Sequence, residues 1–172
     1  MDSAFCSQRG LGTPKGGVRF LILNELFEKA KKGEKIDDYE IVREVEEAFM
    51  LAVDDFLTNL GFEAVETETS GVYDVVWIRR RTQIGEIEIE TAKPTPFASL
   101  VDDYIRDAIQ SITEVLSQYN IKAVACVCST LFWGYVVDFI DENGTIVERR
   151  AFKLDELIEE LWEVINRERE GL

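Results

Sequence analysis

In the stretch Gly85-Glu86-Ile87-Glu88-Ile89-Glu90-Thr91-Ala92-Lys93, three carboxylates alternate with apolar residues and a lysine follows three positions after the last of them. On an extended strand alternate side chains share a face, so Glu86, Glu88 and Glu90 point one way and Ile87 and Ile89 the other. Upstream, Asp74 lies in VYDVVWI, where alternation groups it with Val72, Val76 and Ile78. A carboxylate on such a face is costly unless something offsets its charge, and a divalent cation would do so. If the two strands pair through the turn at Arg81-Thr82-Gln83, Glu88 and Glu90 come close to Asp74. Oxygen ligands from two or three carboxylates, completed by water and a phosphate oxygen, suit Mg²⁺ or Mn²⁺. Such an ion lowers the pKa of a bound water and stabilises charge on a phosphodiester under attack. The wet face of a strand accounts for the Glu row as simply, because Glu66 and Glu68 alternate in the same way in FEAVETET.

Other chemistries are narrowed by composition. The chain has no histidine, which removes Ser-His-Asp and Cys-His nucleophiles, histidine-based zinc sites and histidine general bases. Catalysis would have to rest on carboxylates, lysine, tyrosine, cysteine or a metal. The three cysteines, Cys6, Cys126 and Cys128, are odd in number, and the last two stand too close along a strand for an ordinary disulfide between them. A reducing cytosol is the natural reading, and Cys126 and Cys128, alternating with apolar residues, read as small core side chains.

A net charge of −15 argues against coating nucleic acid by bulk positive potential, but the charge is uneven. Residues 1–35 carry +3 and the remainder −18, so a basic arm on an acidic body and ordinary solvated lysines both fit. No apolar run approaches the roughly 18 residues that cross a bilayer. MDSAFCSQRG lacks a basic region followed by an apolar one, so the expectation is a cytoplasmic protein without membrane association.

The elements that must position these residues follow from periodicity. Residues 1–17 are rich in Gly, Ser, Thr and Pro and read as an irregular arm; residues 18–172 form one domain. Phe20, Leu23, Phe27 and Ala30 predict a helix stopped at Gly33. A longer helix, capped by Asp37 or Asp38, carries the stripe Ile41, Val45, Phe49, Ala52, Phe56 and Leu60 and ends at Gly61. The period then falls to 2, predicting strands over FEAVETET, VYDVVWIRR and IGEIEIET, the last ended by Pro94 and Pro96. A helix over about 99–119 follows, then the two-sided apolar strand IKAVACVCST. FWGYVVDFID and TIVERRAF make a hairpin through Glu142-Asn143-Gly144, and a last helix covers about 154–167. Trp77, Trp133 and Trp162 read as core, with Phe132-Trp133 alternatively an exposed platform for unpaired bases.

NLGFEAVETETSGVYDVVWIRRRTQIGEIEIETAK resembles the core of the PD-(D/E)xK nuclease superfamily, closest to archaeal Holliday junction resolvase-like endonucleases, over roughly residues 40–130. In that pattern a helix ends at Gly-Phe, a strand bears a metal-binding Asp, and the next strand bears Glu-x-Lys. Gly61-Phe62, Asp74 and Glu88-Ile89-Glu90 stand at these places, with Glu90 where the family has its lysine.

The resemblance implies an α/β fold with a restriction endonuclease-like mixed β-sheet flanked by helices, extended here by a C-terminal hairpin and helix. It implies Asp74, Glu88 and Glu90 as ligands of Mg²⁺ or Mn²⁺, Lys93 reaching back in place of the missing lysine, and a helix glutamate at Glu46, which borders the apolar stripe. Arg106 and Gln110, on one face of the next helix, stand where relatives meet the site or the phosphate backbone; a solvated helix face explains them too. Arg79, Arg80 and Arg81 are the best further candidates for DNA contact, with Arg149, Arg150 and Lys153 behind them. The function implied is a metal-dependent DNA endonuclease, structure-selective for branched or flapped DNA, and relatives that are often homodimers leave the same assembly open here. The rival is a nuclease fold that has lost its lysine and serves as a binding module for a protein partner. A purely structural acidic protein is the third reading.

Overall fold

In the computed structural model the described residues are 16–65, 75–79, 95–129, 131 and 133–170, with side chains from residue 23 onward. Four helices and five strands follow in the order α1 (Gly16–Lys31), α2 (Asp38–Asn59), β1 (Phe62–Val65), β2 (Val75–Arg79), α3 (Pro96–Gln118), β3 (Ile121–Ser129), β4 (Gly134–Asp141), β5 (Ile146–Lys153) and α4 (Asp155–Glu170).

Local chemistry sets the boundaries. α2 opens after Asp37, which holds the cap position without a side-chain cap bond; Asp38 and Glu40 in the first turn complement the helix dipole instead. Gly61 closes α2 with φ 91°, a left-handed conformation that only glycine adopts at little cost, and turns the chain directly into β1. α3 starts three residues before the position expected from its apolar period. Thr95 caps it by accepting a hydrogen bond from the Ala98 amide at 3.2 Å, and Pro96 lies in the first turn, where its missing N–H costs nothing. The proline read as ending a strand therefore opens a helix. At the β4–β5 turn Gly144 has φ 80°, and the Asp141 carboxylate accepts from the amides of Asn143 and Thr145 at 2.9 and 3.0 Å.

The strands form one sheet in the order β1-β2-β3-β4-β5, and all four pairings are antiparallel. A mixed α/β architecture is therefore present, but the described sheet is not the mixed one that the resemblance implied. A parallel neighbour for β3 would need a further strand between β2 and β3, and these two bond directly, with Val75 opposite Cys126 and Ile78 opposite Ala123. β1 holds the other edge of β2, from Phe62 opposite Arg79 to Val65 opposite Val76. Both edges of β2 along Val75–Arg79 are thus taken by β1 and β3, and the strand expected over 84–91 lies outside the described residues.

The sheet has two distinct faces. Val75, Trp77, Val124, Cys126, Tyr135, Val137 and Phe139 are buried on the face that α2 covers. Phe49 of α2 stacks on Tyr135 with ring centroids 4.8 Å apart, the Cys126 thiol meets Met50, and the Trp77 indole donates to Asp54 at 2.8 Å. α1, α3 and α4 pack around α2, and their apolar residues join the same core cluster. On the reverse face the row Val65, Val76, Ala125, Asp138, Arg149 crosses all five strands.

Candidate functional site

Asp74, Glu88, Glu90, Lys93, Arg80 and Arg81 lie outside the described residues. Glu46, Arg79, Arg106 and Gln110 lie within them, and they are not brought together. Arg79 is exposed at the end of β2 with its guanidinium 5.8 Å from the centre of the Phe62 ring. Arg106 is exposed on α3 and paired to Asp102 one turn earlier at 2.7 Å, with Gln110 exposed one turn later. Exposure of both side chains fits the solvated face and the phosphate contact alike.

Glu46 is different. It sits in the middle of α2 on the helix side of the sheet and is only 3% exposed. Its backbone carbonyl accepts a hydrogen bond from the Tyr135 hydroxyl at 3.3 Å, while its own Oε1 is buried without a hydrogen-bond partner. Removal from water penalises the charged form and pushes the Glu46 carboxyl up to about 7. A carboxyl that titrates there can hold or release a proton near neutral pH, which is what a general acid or base needs. The sheet nevertheless separates it from Val76 and Ile78, the residues with which alternation groups Asp74.

Two further carboxylates are buried that sequence reasoning missed. Asp54 accepts the Trp77 indole proton under the sheet. Asp138, 2% exposed on the reverse face, accepts from two nitrogens of Arg149 across the β4–β5 ladder, that from Nη2 at 2.9 Å. The signal for Asp138 is the same as that at Asp74: a lone carboxylate inside an apolar run, here GYVVDFID. The bidentate arginine that offsets it belongs to the next strand and is invisible to a reading of either strand alone.

Among the described residues no three carboxylates or cysteines converge as a metal site. A hollow of about 200 Å³ between α1 and α2 is lined by Glu25, Leu26, Lys29, Glu40 and Glu44. Lys29 bridges to Glu40 there at 2.9 Å, and burial, then the neighbouring Glu47, raises the Glu44 carboxyl above its usual range. Cys126 is a buried thiol outside any disulfide, as expected of a core residue, whereas Cys128 is disulfide-bonded, which gives the expectation of a reducing compartment no support. Trp77 is fully buried, but Trp133 is 39% exposed and Leu131 near it 93%, so the β3–β4 turn presents apolar side chains to solvent. No described helix is long and apolar enough to cross a membrane. Comparison with family models, with characterised proteins and with solved structures returns no match to this chain.

Proposed function

We propose that the chain is a Mg²⁺- or Mn²⁺-dependent DNA endonuclease on a restriction endonuclease-like scaffold, with Asp74, Glu88 and Glu90 holding the ion. The observation that supports this reading is the order of elements around the motif. α2 closes at Gly61, β1 opens at Phe62, β2 starts directly after Asp74, and α3 and β3 follow. The resemblance implied a helix, three strands, a helix and a strand; the described elements supply that order apart from the third strand, expected over residues 84–91, which lie outside the described ones. The three carboxylates offer only hard oxygen donors, which fit a hard divalent ion. When bound, the ion supplies Lewis acidity at the scissile phosphate and a water acidic enough to attack it. The chain's own residues would orient that water and the phosphodiester, with Lys93 the nearest cation in sequence to the Glu row.

A second reading is favoured by a separate observation. With both edges of β2 occupied and Glu90 in place of lysine, the same fold suits an accessory module that binds a protein partner. One experiment separates the two: labelled linear, flapped and four-way-junction DNA is incubated in Mg²⁺ and in Mn²⁺ with the protein and with Asp74→Ala, and melting is followed against free Mn²⁺. An endonuclease cleaves at least one substrate, loses activity in the variant and in chelator, and gains melting temperature with metal in a saturable way. No cleavage and no saturable metal effect would reject the endonuclease and leave the binding module.

A further inference from the structure

β3 carries two of the chain's three cysteines, and the two are in different states. Cys126 stands opposite Val137, is buried with its thiol 3.8 Å from the Met50 sulfur, and is outside any disulfide. Cys128, the penultimate residue of β3, stands opposite Tyr135 and is disulfide-bonded. Alternate residues of a strand share a face, so both sulfurs belong to the side of the sheet that α2 covers. Cys128 is only half-buried there and packs against the core cluster from its margin. A sulfur so placed is within reach of a second thiol that arrives from outside the core.

The bond needs a second cysteine. Cys126 is outside any disulfide, and the sequence holds one further cysteine, Cys6. Cys6 lies outside the described residues and is reached by elimination.

We infer that Cys6 and Cys128 of the same chain form a disulfide that ties the N-terminal arm to the end of β3. Residues 1–17 carry few apolar side chains, so a covalent link supplies an anchorage that packing would not. Closing the bond takes an oxidant, and a small-molecule disulfide such as oxidised glutathione suffices. The Cys6 thiol gives up its proton, its thiolate attacks one sulfur of the oxidant, and one glutathione thiolate leaves with the electron pair of the broken bond. The Cys128 thiolate then attacks the Cys6 sulfur of this mixed disulfide and displaces the second glutathione. Two protein thiols are oxidised, the oxidant is reduced to two thiols, and the leaving thiolates take up the protons released. The link therefore closes where the thiol-disulfide poise is oxidising and opens where it is reducing, which makes attachment of the arm redox-dependent. It requires neither metal nor nucleic acid and holds whether or not the chain is an endonuclease.

The test uses the full chain, first reduced and then equilibrated with excess oxidised glutathione in chelator. Remaining thiols are alkylated in denaturant and the chain is digested without reductant. Mass spectrometry then finds MDSAFCSQR joined to the peptide that contains Cys128, with Cys126 alkylated, in a monomer lighter than the reduced chain by two hydrogen atoms. Reduction lowers the melting temperature by about 10 °C, the scale for opening a loop that spans most of a chain of this size. Cys6→Ser removes the linked peptide and melts with the reduced parent, without further response to reductant, and Cys128→Ser does the same from the other sulfur. The inference is wrong if all the cysteines are recovered alkylated or carrying only glutathione. It is equally wrong if Cys6 is joined to Cys126, or if the link joins two chains and appears as a dimer on a non-reducing gel.

Discussion

Glu46→Gln is expected to change how stability depends on pH. In the folded chain the Glu46 carboxyl is raised from 4.5 to about 7 because burial removes the water that would solvate its charge. The native state therefore holds a proton that the unfolded state has already released, and stability falls as pH rises through this window, levelling off above about 7. Each pH unit between the unfolded and folded values costs about 1.4 kcal/mol, so the loss between about pH 5 and about pH 8 is roughly 2.5 kcal/mol. Glutamine keeps the size of the side chain and carries no charge, so its stability relative to the parent should rise by that amount across the same interval. A buried, unpartnered amide has its own cost of roughly 1–3 kcal/mol, but that cost does not vary with pH and cancels in the comparison. Urea denaturation of both proteins at the two pH values measures the difference directly. By melting, at roughly 2–4 °C per kcal/mol for a chain of this size, it amounts to about 5–10 °C. A variant-minus-parent difference that is the same at both pH values would refute the uncompensated burial of Glu46.

Three further substitutions test the packing around the sheet. Arg149→Met keeps the aliphatic stem and removes the bidentate contact to Asp138, at an expected cost of about 2 kcal/mol read from the shift in denaturation midpoint; an unchanged midpoint would mean the pair contributes nothing. Trp77→Phe removes the indole donor to Asp54 and should cost roughly 1–3 kcal/mol by the same assay; an unchanged midpoint would mean the bond contributes nothing. Gly144→Ala meets no atom within 4 Å of the new Cβ, so the expected loss of about 1 kcal/mol comes from the backbone at φ 80° alone, and Gly144→Asn, which tolerates that conformation better, should lose less.

Helix stripes were legible because a period of 3.6 survives whatever the helix packs against. Ile41, Val45, Phe49 and Ala52 are all buried as the stripe of α2 required. The stripe also understated the burial. Glu46, Met50, Leu51, Val53 and Asp54 are buried as well, because α2 has the sheet on one side and helices around the rest, so its polar border had no solvent to face. Pro96 was misassigned because a proline ends a strand and begins a helix with equal ease; the cap at Thr95 decides between them, and its bond is made only when the helix forms. Strand faces were readable and strand neighbours were not. Alternation says which side chains share a face, but the choice of β3 as partner for β2 brings Cys126 beside Val75 across the whole of α3, and no local pattern carries that information.

The two-sided character of the sheet bears on how any site near Asp74 would have to be built. Glu46 and Asp54 belong to the helix side, where Tyr135 and Trp77 meet α2. Val76, Ala125, Asp138 and Arg149 belong to the reverse side, and alternation groups Asp74 with Val76. A glutamate from the preceding helix is thus on the wrong side of β2 to share an ion with a carboxylate in line with Val76. The described strand carboxylates on that reverse side are Asp138, already held by Arg149, and Glu63, opposite Ile78 on the outer strand β1. On the helix side Glu46 is buried in the middle of α2 against the sheet, and that burial is what raises its pKa.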